Sequence, residues 1–168
     1  VTQSVTVDQM EAVGAFWPEA HSDAKQMALL GAAGHEVFGF ENARIPFCLT
    51  VEAEAFGCVV DLGKADRTPM VKKHLYNAED DPVFPEDFLE KGRVKAVIDA
   101  TKMLKQKYGD KLPIVVGTTG PLTIAGHLVG TENLLLMMIT DPEAVHKFIK
   151  VAAQMEKKYL QALVAAGA

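Results

Sequence analysis

The sequence predicts an α/β fold that forms part of a parallel (β/α)8 barrel of the TIM type. Three observations carry that expectation. Strand-like runs alternate with helical repeats along the chain. A buried β-branched run, "LPIVVG", passes through Gly120 into a helix that starts at Pro121. A long amphipathic helix then closes the sequence, with only three core strands before it, too little sheet for it to cover in an open fold.

Each element follows from local pattern. The opening "VTQSVTV" reads as the end of a strand, and Thr6 with Gln9 makes a capping box for a short helix through Met10 and Val13 that Gly14 closes. After the loop "AFWPEAH", Ser22 or Asp23 caps a helix in which Met27, Leu30, Gly31, Gly34 and Phe38 recur at helical spacing. Its glycines permit close approach of a neighbour. "ARIPFCLTV" reads as a strand ending at Cys48, "EAEAFG" as a helical turn, and "CVVDLG" with "PMVKKHLY" as a β-hairpin laid across one end of the fold. The polar loop "NAEDDPVFPED" precedes a helix predicted from Pro85 to Tyr108, with Phe88, Leu89, Val97, Ile98 and Leu104 as its buried stripe and Gly109 as its stop. "LPIVVG" is the next strand, and the Gly-Pro junction opens a helix pair. Asp141 caps and Pro142 starts the last helix, whose apolar face is Val145, Phe148, Ile149, Ala152, Met155, Tyr159 and Leu163.

Composition bounds the function. The 168 residues are 49% hydrophobic and 23% charged, which fits one soluble globular domain or part of a larger one and not a disordered chain; residues 1 to 168 are read as the N-terminal part of a single barrel domain. A net charge of -5, with 17 scattered Lys and Arg, argues against a nucleic-acid surface. Cys48 and Cys58 form no CxxC pair, which suits a reducing compartment better than a disulfide scaffold. No run approaches the roughly 18 apolar residues of a membrane span, so the expected location is cytoplasmic. The chain opens without methionine, inside a strand, and stops just after a helix ends at Gly167. Truncation at both ends is the expectation.

The junction "GTTGPLTIA" matches neither GxGxxG nor GxxxxGK[ST], so a nucleotide cradle is not predicted. Helix amides beginning near Pro121 point toward the carboxyl end of the preceding strand, where barrels place their chemistry, and would favour a carboxylate or sulfonate. Thr118, Thr119 and Gly120 are therefore candidate ligand-binding residues. The competing reading is a tight turn with no ligand.

Three stretches go further: "VTQSVTVDQMEAVGAFWPEAH" from Val1, "RIPFCLTVEAEAFGC" from Arg44 to Cys58, and "GTTGPLTIA" from Gly117 to Ala125. On them the chain resembles the uroporphyrinogen decarboxylase-like superfamily, and within it the methylcobalamin:coenzyme M methyltransferases. The resemblance covers essentially all 168 residues and implies the N-terminal half of the family's barrel, with the hairpin as an insertion. The alternative within the superfamily is uroporphyrinogen decarboxylase, which carries arginines after its first strand for a substrate rich in carboxylates. No arginine occurs between Val1 and Ala43. The decarboxylase's catalytic aspartate matches a position at or beside Cys48, and no Asp occurs between Arg44 and Val60. A non-catalytic half-barrel binding module is a further alternative, and the cobalamin-independent methionine synthase fold a more distant one.

The methyltransferase resemblance implies zinc, which binds the thiol of coenzyme M and favours its thiolate. It also implies methylcobalamin as the methyl donor and a corrinoid protein as its carrier. The family's zinc ligands are a His-x-Cys pair and a later cysteine. No His-x-Cys occurs here, so the ligands are expected outside these residues and no catalytic residue is identified within them.

The remaining candidates each have a bland reading beside the sharp one. Gln3 faces the barrel mouth or is an ordinary strand terminus. Cys48 contacts substrate or is a buried small hydrophobe. Glu54, an acid in an apolar run, serves the site or lies near the metal, while its neighbour Glu52 is expected to be solvated. Arg44 and Arg67 meet a sulfonate or the corrinoid partner, or are solvated. The open sheet edge is expected to promote self-association.

Overall fold

The computed structural model describes residues 5 to 168. Its elements, in chain order, are α1 (Val7–Val13), α2 (Ala24–Phe38), β1 (Ala43–Ile45), α3 (Val51–Phe56), β2 (Val59–Asp61) and β3 (Met70–Lys73). There follow α4 (Gly92–Tyr108), β4 (Ile114–Val116), α5 (Pro121–Val129), α6 (Thr131–Thr140) and α7 (Pro142–Ala166). Single 3-10 turns occupy Glu19–His21 and Phe88–Glu90.

β1 and β4 pair in parallel, with Arg44 opposite Val115, and β2 and β3 form the expected antiparallel hairpin. Alternation along the parallel pair sets its two faces. Ala43, Ile45 and Ile114 are buried, where α2 and α4 pack on the sheet, while Arg44 and Val115 project from the opposite face. That second face corresponds to the inside of a barrel. The chain is thus a partial α/β barrel with a hairpin insertion.

Gly31 explains how closely α2 lies on β1: a Cβ there would meet Ile45 Cγ2 at 2.5 Å and the Arg44 carbonyl oxygen at 3.0 Å. The main core joins α2, α4, α5 and α7 through Met27, Val97, Leu104, Ile124, Phe148 and Tyr159. A smaller cluster of Met10, Ala15, Ala20, Leu30 and Ala33 seats α1.

Local capping follows the sequence closely. Thr6 and Gln9 form the capping box, Asp23 caps α2 through the Gln26 amide, and Asp141 caps α7 through the Ala144 amide. Four expectations change. The helix predicted from Pro85 is a 3-10 turn followed by α4, because Gly92 sits at φ +41 and redirects the chain. The strand predicted through Cys48 stops at Ile45, because Pro46 has no amide to continue the ladder. The predicted helix pair is three helices, α5 and α6 being bent 104° at Gly130. Phe38 is 52% exposed although its spacing matches the buried stripe of α2. The opening strand and Gln3 fall largely outside the described residues, and Val5 and Thr6 are not in a strand.

Candidate functional site

The carboxyl ends of β1 and β4 lie side by side, as parallel pairing requires, so the loop after β1 and the junction after β4 share one end of the fold. Cys48 is in that loop. It lines two cavities, one of about 390 Å³ whose wall includes Trp17, Arg44, Phe47 and Gly117, the other of about 530 Å³ bounded by Thr50, Met70, His74 and His127.

Behind Cys48 lies an ionic network. Arg93, from the first turn of α4, is 2% exposed, and all three of its side-chain nitrogens donate. Nε bonds Glu54 Oε2 at 2.5 Å, Nη1 bonds Cys48 Sγ at 3.2 Å, and Nη2 bonds the Thr50 carbonyl and Oγ1, each at 3.0 Å. The guanidinium therefore fixes the loop after β1 to α3 and α4. Only Arg93 is buried in this pair, so removal of Glu54 would leave the guanidinium charge short of a partner inside the protein, whereas Glu54 itself retains access to water.

Glu52 forms the second link. It is 2% exposed and accepts from the Thr119 amide at 2.8 Å and from Thr119 Oγ1 at 3.0 Å. The β4–α5 junction thus does face an anion, and among the described residues that anion is the chain's own carboxylate. Burial raises the Glu52 pKa above the ordinary carboxylate value, against the opposing effect of the Thr119 bonds. The expectation that Glu52 is solvated is corrected: an N–H and a hydroxyl satisfy it inside the protein, while Glu54 keeps its side chain 33% exposed. Thr118 Oγ1 donates to Glu156 at 3.3 Å, and Gly120 is the exposed N-cap residue of α5.

Cys48, Glu54 and Thr119 therefore belong to one connected region, and Thr118 is tied to α7. Arg67 bonds Asp61 at 3.0 Å within the hairpin. Sequence reasoning missed Arg93, Thr50, Trp17 and Tyr159 as parts of the site. A signal for Arg93 was present: it precedes Val97, Thr101 and Leu104 on the buried stripe of α4, where a lone cation needs internal partners. Tyr159 is fully buried with its hydroxyl unpartnered among the described residues, and burial, then Glu52 and Cys48, push its ionisation well above the ordinary range. His21 packs against Trp17 and Phe47 at ring separations of 4.9 and 6.0 Å.

Zinc would need three or four thiolate, imidazole or carboxylate donors converging on a point. Among the described residues no three His, Cys, Asp or Glu side chains do so. Burial pushes the Cys58 thiol up to about 11, and its Sγ donates to the His127 carbonyl at 3.4 Å. Cys48 already accepts from the Arg93 cation. These donors do not fit the metal.

Comparison with known proteins extends the geometry. The family model described as Uroporphyrinogen decarboxylase (URO-D) matches residues 1–168. The Methylcobamide:CoM methyltransferase MtbA of Methanosarcina acetivorans is 42% identical over 168 residues, which cover 99% of this chain and 49% of that protein. MtaA of Methanosarcina barkeri, another methylcobamide:CoM methyltransferase, is 37% identical over 169 residues, 100% of this chain and 50% of the relative. A solved structure of a methyltransferase from Methanosarcina mazei superposes with a TM-score of 0.95 at 38% identity, covering 99% of this chain and 50% of that one. The chain spans about half the length of the curated relatives it matches.

Proposed function

Because the chain belongs to the uroporphyrinogen decarboxylase (URO-D) family, we propose that it forms part of a methyltransferase that moves a methyl group from a methylated corrinoid to the thiol of coenzyme M. The observation that carries the reading is the 42% identity to a methylcobamide:CoM methyltransferase, sustained over 168 residues. The site is consistent with it. A decarboxylase of this family needs a carboxylate at or beside Cys48, whereas this loop presents a thiol held by Arg93.

In this reading Cys48, Glu54, Thr118, Thr119 and Gly120 border the substrate, as does Gln3, which lies outside the described residues. Arg93 and Glu52 hold the two loops at a fixed separation. A corrinoid protein delivers the methyl donor, the reaction takes place in the cytoplasm, and the zinc implied by the resemblance draws its ligands from outside these residues. By themselves residues 1 to 168 carry no methyl transfer, and a second copy packs against the side of the sheet left open.

The test uses the full-length protein encoded by the natural gene, mixed with zinc, coenzyme M and free methylcobalamin. The methylcobalamin spectrum is expected to decay only when the thiol is present. A spectrum that stays constant, or decays equally without coenzyme M, overturns the proposal.

A further inference from the structure

The two cavities beside Cys48 share Phe47, Cys48, Leu49 and Thr68, so the loop after β1 and the turn of the hairpin form a wall between them. The larger, of about 530 Å³, continues between the hairpin and α5, where His74, Gly126, His127 and Thr131 line it. No Asp, Glu, Lys or Arg occurs among its described lining residues. Such a wall gives a charged group nothing to pair with and suits an uncharged one.

Two imidazoles give that wall its polarity. His74 Nδ1 lies 2.8 Å from the His127 carbonyl oxygen, which only accepts, so Nδ1 carries the proton and the neutral ring offers Nε2 as an acceptor. Close packing holds the ring there: a Cβ on Gly130 would come within 3.3 Å of both His74 Nε2 and Cδ2. His127 has the opposite polarity. Its Nδ1 is buried without a partner among the described residues, and an unsatisfied N–H there would be costly, so the proton belongs on Nε2. Burial first, and His74 second, lower the His127 pKa and favour the uncharged ring. One acceptor and one donor therefore border the same uncharged cavity. A primary carboxamide complements such a pair, since its N–H donates to the first and its carbonyl accepts from the second. Phe47, Leu49, Met70 and Val71 supply apolar surface for the arm that carries it.

We propose that the cavity between the hairpin and α5 receives a primary carboxamide from the rim of the corrinoid, held between His74 Nε2 and the His127 ring. The proposal rests on the methyltransferase reading for the identity of its ligand, a macrocycle that carries primary carboxamides on short arms around its edge. A corrin seated over the mouth reaches the neighbouring cavity with one such arm, across the shared wall.

The test uses the full-length natural protein and cyanocobalamin, which has no methyl group on its cobalt to transfer. Calorimetric titration compares it with its monocarboxylic acids, in each of which one carboxamide is hydrolysed to a carboxylate. One acid is expected to bind at least about tenfold more weakly, having lost a donor and gained a charge that the wall cannot pair. Equal binding of all the acids, or no binding of the parent, overturns the proposal with no variant required. Nicotinamide titrated alone tests a free amide as the source, and tighter binding of it than of cyanocobalamin overturns the corrinoid assignment. His74→Asn keeps an N–H where Nδ1 sits, and with it the anchor to the His127 carbonyl, but has nothing in place of Nε2. In that variant the difference between the amide and the weak acid is expected to shrink to about twofold or less. A full difference in a variant that circular dichroism shows to be folded means that the arm binds elsewhere, and the proposal fails. If the acids bind as tightly as the amide while coenzyme M is still methylated, this site falls and the methyl-transfer reading survives. If the difference is present and vanishes in His74→Asn but no thiol is methylated, the site stands and the methyl-transfer reading falls.

Discussion

At the residue scale, His21 converts burial into a pH dependence. It is 1% exposed, and both ring nitrogens lack partners among the described residues. Desolvation first, and the Arg93 charge second, hold its pKa down to about 4. The folded protein therefore keeps His21 neutral while the unfolded chain binds a proton near 6.5, so stability is fully present above about 6.5 and falls as the pH drops through about 4. Urea unfolding between pH 7 and 4 should show a loss that His21→Phe reduces by up to about 3 kcal/mol. An identical loss in the variant refutes the assignment. The histidine was visible in "WPEAH", but its cage was not, because Phe47 comes from a loop far along the chain. Glu52 and Glu54 were ranked the wrong way round for the same reason: which acid is buried depends on Thr119 and Arg93, and neither is a sequence neighbour.

At the element scale, the contact of α2 with β1 depends on one missing methyl group. Gly31→Ala gains up to about 1 kcal/mol in helix propensity. The added Cβ, however, meets the backbone carbonyl of Arg44 as well as the Ile45 methyl, and the carbonyl cannot rotate aside. The expected net result is a loss of about 1–3 kcal/mol, read as a lowered Tm by circular dichroism. An unchanged or raised Tm means that β1 shifts freely and that α2 does not set its position. The same contrast governs what the sequence revealed. Caps at Thr6, Asp23 and Asp141, and the β2–β3 hairpin, were legible because a few adjacent residues determine them. The ends of β1 and α4 were not: continuous apolar patterning hid the missing amide of Pro46 and the positive φ of Gly92.

At the scale of the whole molecule, the alternation of strands and helices was enough to predict a partial barrel, since layer order is written in periodicity. The site was legible only in part, because its bonds join positions as far apart as Glu52 and Thr119, 67 residues, and Cys48 and Arg93, 45 residues. The proposed self-association also belongs here. Val115 on the barrel-facing side of β4, with Leu160 and Val164 on α7, leaves apolar surface exposed, at 38%, 43% and 69% respectively. Sedimentation across the micromolar range should show residues 1 to 168 forming a concentration-dependent dimer that Leu160→Glu combined with Val164→Glu weakens. A monomer at every concentration excludes the second copy. The 67-residue link has a consequence in time as well as space. A chain made from its amino end exposes Glu52 to the ribosome's surroundings well before Thr119 has been synthesised. During that interval water, and not the protein, must solvate the carboxylate. Completion of the mouth is therefore a late event of synthesis, triggered when the second parallel strand arrives with its Thr-Gly-Pro corner.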